Sequence, residues 1–264
     1  MPVEDLFPRS QKYDLAWVLA NQMGPNVLWL TESLTNVMAL APGSRVLDLG
    51  CGRALSSIFL AREFGVHVVA ADLWISPTEN LARIGEAGLE GQVLPIRMEA
   101  HQIPFAENYF DAVVSMDAFH YFGTDVHYLE THLLKHLKPG GRIGIVSPAS
   151  PIDLPTELPK YMTERYYWMN SAGWWRRHWE RTGILTVDLA DSMPEGWQSW
   201  VQWQEAVAPD NHVELDAVKA DQGDYLGYVR VTGRRRADVE LLDPIESMSV
   251  PPNYISQPLL RRGQ

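Results

Sequence analysis

VLDLGCGRALSS, residues 46–57, joins an apolar, strand-like run to the start of a helix through Asp48 and two glycines spaced one apart. A strand must turn into a helix somewhere, so the segment alone is compatible with a purely structural turn. The alternative is a ligand, because glycines let a ribose or a phosphate approach backbone that a Cβ would obstruct. In open α/β sheets such ligands sit outside the carboxyl ends of the strands, near the point where strand order reverses. The rest of the chain decides between the two.

Working outward, short apolar runs recur at 45–50, 67–71, 93–97, 111–116 and 142–146, with helical stretches near 54–65, 78–88 and 124–138. Strands alternating with helices of this length predict right-handed crossovers and a parallel sheet covered on both faces. Burial on both faces is why the runs are apolar nearly throughout. Upstream, residues 1–43 read as a helical cap with Leu15, Trp17, Val18 and Leu19 near one side, then Leu28, Trp29, Leu34 and Met38 at helical spacing. Residues 44–148 form the predicted core. After Pro148, SPASPIDLPTELPK carries four prolines and cannot continue a sheet. Residues 149–182 are therefore an insertion with an aromatic helix. Residues 183–236 hold two further strands, ILTVDLADSM and YLGYVRVTGR, separated by a Trp-rich helix at about 196–207 and an acidic connection. Residues 237–264 read as an extended tail.

Bulk properties narrow the function. The 264 residues carry 33 acidic and 22 basic side chains, a net charge of −11, which disfavours a large phosphate-backbone footprint. Two short basic segments, WWRRHWERTG and TGRRRAD, read as a helix face and a strand end. The single cysteine, Cys51, excludes an intramolecular disulfide framework and predicts a reduced compartment. The N-terminal stretch has no apolar core of signal type, and no run approaches 18 apolar residues. The expectation is a cytoplasmic chain without nucleic-acid or membrane partners; a homodimer stays open.

Two more strand ends sharpen the ligand reading. Asp72 closes the second run (VVAAD), 20 residues beyond Gly52, where a carboxylate can accept hydrogen bonds from both ribose hydroxyls. Glu99, after the third run, is placed to meet an exocyclic amine. Three consecutive strand ends thus present acceptors for a ribose and an adenine. The third glycine of the dinucleotide fingerprint is absent, with Arg53-Ala54 in its place.

These residues resemble the class I S-adenosylmethionine-dependent methyltransferases, nearest the small-molecule branch of ubiquinone- and menaquinone-pathway and natural-product enzymes. VLDLGCG (46–52), Asp72, EAHQIPF (99–105), FDAVVSM (110–116) and the LKPGG turn (Leu137–Gly141) follow the family's order and gaps. The resemblance implies a Rossmann-like, doubly wound seven-stranded α/β sheet, mostly parallel with an antiparallel C-terminal hairpin, N-terminal helices and an aromatic-rich lid. It implies S-adenosyl-L-methionine as cofactor and a small-molecule acceptor. Asp48, Gly50, Cys51 and Gly52 would lie beside the amino-acid part. Asp72 and Leu73 would serve the ribose, Glu99, Ala100 and His101 the adenine, and Ser115 and Met116 the methionine end. A nicotinamide-dependent oxidoreductase and a non-catalytic cofactor binder are the alternatives.

Methyl transfer needs an aligned nucleophile and sometimes a base. His120 falls in the loop after the fourth strand, where related O-methyltransferases carry a basic histidine. Acceptor contact or packing are its other readings. Asp117 is a candidate for cofactor contact, for orienting an amine, or for capping a helix. Seven of ten tryptophans lie between Trp168 and Trp203, so acceptor contacts are expected there. Tyr121, Tyr166, Tyr167 and Trp174 are the candidates, with Tyr13 and Trp17 closing the pocket from the N-terminal helix. His132 and His136, four apart, read as solvated helix surface rather than metal ligands.

Overall fold

The computed structural model describes residues 3–125 and 127–241. Seven strands form one sheet: β1 (Arg45–Leu49), β2 (His67–Asp72), β3 (Val93–Arg97), β4 (Phe110–Met116), β5 (Leu137–Ala149), β6 (Leu185–Ser192) and β7 (Gly227–Arg235), in the order β3-β2-β1-β4-β5-β7-β6. Strands β1 to β5 run parallel, and β7 lies antiparallel between β5 and β6. Strand order reverses between β1 and β4, which puts the switch point beside residues 48–52. The helices are α1 (Leu15–Asn21), α2 (Val27–Thr35), α3 (Leu55–Phe64), α4 (Pro77–Glu86), α5 (Ala172–Glu180), α6 (Gly196–Val207) and α7 (His212–Asp221).

Two apolar layers enclose the sheet. Alternate residues of a strand point to opposite faces: Val46 joins Leu28, Ile58 and Phe59 on one side, while Leu47 and Leu49 join Tyr128, Leu133, Trp175 and Trp179 on the other. Trp175 and Trp179, four apart on α5, are buried because that helix covers the second layer. The α5 part of the insertion is therefore a packing helix.

Four local expectations change. The predicted helix over 124–138 is short, with turns at Leu129–Leu133 and Leu134–His136. Pro139 cannot continue a helix, and the chain enters β5 at Leu137, where a register shift opposite Phe110/Ala112 absorbs the glycine pair. The acidic connection contains α7, whose start is set by Asn211: its side chain accepts from the Glu214 amide, and its amide group reaches the Glu214 carboxylate. On α1 only Val18 is buried, and Leu15 is 61% exposed, so that helix is too short to bury the predicted stripe. His136 is buried and its Nδ1 faces the Ala106 carbonyl, while His132 Nδ1 lies 2.9 Å from the His101 carbonyl; neither is solvated helix surface. From residue 242 the predicted tail lies outside the described residues. No helix among them is long and apolar enough to cross a membrane.

Candidate functional site

The turn after β1 is built for close backbone approach. Gly50 has φ +76° and Gly52 φ +54°, values that L side chains rarely adopt. A Cβ on Gly50 would stand 2.4 Å from the Ala118 Cβ, and one on Gly52 3.1 Å from Met23 Sδ. The turn is thus pressed between the loop after β4 and the linker joining α1 to α2.

Asp48 lies beneath it, fully buried. Both Ser56 and Ser57 of α3 donate to its Oδ2 at 2.6 Å, while Oδ1 has no partner among the described residues. Burial is the main cause, over the opposing serine bonds, that pushes its carboxyl up to about 6. Cys51 is buried beside it as a free thiol, and burial holds that thiol protonated.

Asp72 joins the strand ends. The Gly52 amide donates to Oδ2 at 2.8 Å, and the Trp74 and Ile75 amides donate to Oδ1 at 2.8 and 2.9 Å. An ionised carboxylate has about four lone-pair directions, so room for a hydroxyl remains. Leu73 is exposed beside it, its carbonyl accepting from Arg97. After β3, Glu99 accepts the His101 amide and its Oε1 lies 2.7 Å from His101 Nδ1. Tyr128 donates to the Ala100 carbonyl at 3.0 Å, which pins this third strand end from below. At the end of β4, the Ser115 hydroxyl donates to the Leu49 carbonyl at 2.7 Å, locking β4 to β1, and Met116 is buried.

The linker over the turn is itself anchored. Arg53 donates to the Ala20 carbonyl, Arg83 to Asn21, and the Trp203 indole of α6 to the Gly24 carbonyl at 2.8 Å. Asn80 of α4 holds the Gly52 carbonyl at 2.9 Å.

Beyond β4 the backbone turns at Asp117, a non-glycine residue at φ +55°. His120 follows in the tight turn Phe119–Tyr121 and stacks on Trp168, with ring centroids 4.8 Å apart and planes 16° apart. Ser147 Oγ lies 3.4 Å from His120 Nδ1. Burial drives the His120 imidazole down to about 4. Tyr121, 69% exposed, meets Trp74 edge-on at 6.1 Å. His120, Tyr121, Trp74 and Trp168 therefore form one aromatic rim drawn from the ends of β2 and β4 and from the insertion.

Residues 46–141 match the family described as a methyltransferase domain. That stretch is similar to a methyltransferase domain and spans the strands β1 to β4 with the turn into β5. Among curated relatives, the demethylmenaquinone methyltransferase of Clavibacter sepedonicus is 35% identical over 144 residues, covering 54% of this chain and 56% of that protein. The glycine/sarcosine/dimethylglycine N-methyltransferase of Actinopolyspora halophila is 28% identical over 163 residues, 61% of this chain and 29% of its own. The chain thus aligns with between about a third and just over half of those two proteins. Among solved structures, phosphoethanolamine N-methyltransferase 2 of Haemonchus contortus superposes with TM-score 0.66 at 20% identity, covering 89% of this chain and 60% of that one. Geranyl diphosphate C-methyltransferase from Streptomyces coelicolor gives 0.65 at 18% identity, with 78% and 76% covered. These structural likenesses establish the fold.

The fold gathers some predicted acceptor residues and separates others. Tyr166 is buried and meets Trp200 edge-on, and Trp200 stacks on Tyr228 at 5.3 Å. Tyr167 is exposed on the insertion. Trp174 stacks on His178 at 4.6 Å over α5, outside that group. Tyr13 packs on Phe59 at 5.6 Å in the first apolar layer, and Trp17 lies against the same layer. Trp74, Trp168, Trp200, Tyr228 and the Met23–Gly24 linker were not singled out by sequence reasoning. Trp74, two residues beyond Asp72, could have been found from its position after a strand end.

Proposed function

We propose that this chain is a methyltransferase that moves a methyl group from S-adenosyl-L-methionine to a small-molecule acceptor nitrogen, oxygen, sulfur or activated carbon. The observation that carries the reading is the Gly52–Asp72 hydrogen bond. It joins a Cβ-free turn to a ribose-competent carboxylate at adjoining strand ends. The residues fit the cofactor: the turn offers positive-φ glycines, and Asp72, with three backbone amides on its two oxygens, keeps acceptor capacity for a hydroxyl.

When bound, S-adenosyl-L-methionine supplies a methyl on a sulfonium, which the acceptor displaces in line to leave S-adenosyl-L-homocysteine. Asp48, Cys51 and the Gly50–Gly52 backbone shape the floor for its amino-acid part. Asp72 and Leu73 hold and border the ribose; Glu99, Ala100 and His101 face the adenine; Ser115 and Met116 flank the reacting end. His120 takes the acceptor proton. Its lowered pKa keeps the ring neutral, the form able to accept one, and the Ser147 hydroxyl orients it. Tyr121, Tyr166 and Tyr167 line the acceptor side, while Tyr13, Trp17 and Trp174 support it from the layers behind. The reading includes a cytoplasmic location.

The test is thermal unfolding with S-adenosylmethionine, S-adenosylhomocysteine and NAD, on wild type and Asp72→Ala. A ligand at ~100 times its Kd adds about 2.7 kcal/mol of stability. Stabilisation by the first two, weakened in the variant, is expected. Stabilisation by NAD alone would replace this reading with the oxidoreductase.

A further inference from the structure

Two side chains from the segment between β4 and β5 grip the loop that follows β3. The Tyr128 hydroxyl donates to the Ala100 carbonyl at 3.0 Å, and His132 Nδ1 lies 2.9 Å from the His101 carbonyl. We propose, resting on the methyltransferase reading, that Tyr128 and His132 are positioning residues for the cofactor's base. They fix the peptide groups through which Glu99 and Ala100 meet an adenine edge.

The Met98 amide donates to the Asp72 carbonyl at 2.9 Å, and residues 99–106 then run outside any strand. Their direction has to come from somewhere other than a sheet ladder. A trans peptide is planar, so its carbonyl and its N–H point in opposite directions, and holding one aims the other. The Ala100 carbonyl, held by Tyr128, shares its peptide with the His101 amide, which donates to Glu99 Oε2 at 3.0 Å. Tyr128 thus aims the Glu99 carboxylate through one rigid unit. The His101 carbonyl, held by His132, shares its peptide with the Gln102 amide, which donates to the Glu99 carbonyl at 3.0 Å. That carbonyl belongs to the same peptide as the Ala100 amide. His132 therefore aims the Ala100 amide in two such steps.

Both grips are firmly set. Tyr128 is fully buried, with the rings of Phe119, Phe122 and His101 at 5.9, 5.1 and 5.1 Å. Burial holds its phenol protonated, so it stays a donor. A carbonyl only accepts, so His132 carries its hydrogen on Nδ1. The His132 ring stacks on Tyr128 at 5.9 Å with planes 25° apart.

The loop then presents an acceptor beside a donor. Glu99 Oε1 lies 2.7 Å from His101 Nδ1 and Oε2 takes the His101 amide, which leaves each oxygen a further lone pair. The Ala100 amide donates to no protein acceptor among the described residues. Adenine offers the matching order, an exocyclic N6 donor beside the N1 acceptor. Hypoxanthine offers the reverse, a 6-oxo acceptor beside N1–H, and sets like against like at both contacts. Discrimination between the two bases therefore depends on the aim of Glu99 and Ala100, and so on the two grips behind them.

S-adenosylhomocysteine and its hypoxanthine analogue S-inosylhomocysteine are titrated calorimetrically into wild type, Tyr128→Phe, His132→Leu and His132→Asn. Tyr128→Phe keeps the buried ring and removes only the hydroxyl, and the asparagine amide donates from nearly the place of Nδ1. Expected is at least about tenfold tighter binding of the adenine ligand in wild type. That preference falls by about threefold or more in Tyr128→Phe and His132→Leu, and stays within about twofold of wild type in His132→Asn. Equal weakening of both ligands in Tyr128→Phe and His132→Leu, with the preference kept, overturns the proposal, because the two residues then serve stability alone. Wild type that binds both ligands equally also overturns it and leaves the methyltransferase reading intact. Failure of wild type to bind S-adenosylhomocysteine overturns both.

Discussion

The Gly52 amide donates to the Asp72 carboxylate across 2.8 Å, so the turn after β1 is shaped by the residue that ends β2. One carboxylate also organises the turn into Ile75. Asp72→Asn keeps the size but presents an amide group to backbone donors. Removing a partner from a buried donor costs roughly 1–3 kcal/mol. The variant is expected to melt lower and to lose most of its stabilisation by S-adenosylhomocysteine, read in one thermal titration. A variant with wild-type ligand stabilisation would remove Asp72 from the site.

Gly50→Ala is expected to be the most damaging small change in the turn. Its Cβ meets Ala118 at 2.4 Å, and φ +76° remains unfavourable for alanine. Strain of this kind costs about 1–3 kcal/mol. Gly52→Ala meets only the flexible end of Met23 and should cost less. Adding Ala118→Gly should rescue Gly50→Ala in part, because the clash goes while the backbone strain stays. Denaturant unfolding of the four proteins checks the order.

The buried titrating groups act in opposite directions with pH. His120 is lowered from 6.5 to about 4, so as pH falls from 6.5 to 4 the unfolded chain takes a proton that the folded one refuses. Stability is lost over that window. Asp48 and Asp117 are raised from 3.8 to about 6 and about 7, so they destabilise the fold as pH rises through those windows. In His120→Gln only the acid-side loss disappears. The wild type's stability relative to the variant should therefore decline by on the order of 2 kcal/mol from pH 6.5 to 4. Urea titrations across that range measure it; a constant difference would mean that the imidazole titrates normally.

Tryptophans of one short segment should separate by role. Trp179 is fully buried, and truncating it to alanine should cost about 3–5 kcal/mol. Trp168, 38% exposed and stacked on His120, should cost little stability when replaced. Its loss should instead raise the His120 pKa, visible by NMR titration of the ring. An unchanged titration would show that the stack does not shield the histidine.

Sheet and turn were legible because their signals are local. Asp48, Gly50, Gly52 and Asp72 follow one another at strand ends, and alternating apolar runs fix the crossovers. The antiparallel C-terminal hairpin came only through family resemblance, and the interior position of β7 was not foreseen, since antiparallel insertion leaves no periodic mark. α7 was missed although Asn211 and Glu214 carry a readable start signal. The acceptor side was hardest. Tyr166, Trp200 and Tyr228 are 62 residues apart from first to last, and no spacing rule joins them. Trp174 and Trp175 look alike in sequence, and only packing against His178 and Phe119 tells them apart.

Placing β7 between β5 and β6 has a consequence for biosynthesis. The strand that bridges them is the last of the seven to be made. During translation of residues 150–226, β5 presents an open edge of unpaired amides and carbonyls, and β6 has no neighbour to receive it. The nascent chain therefore holds a half-built sheet until β7 emerges. That interval is when a competing strand from another molecule is most able to take its place.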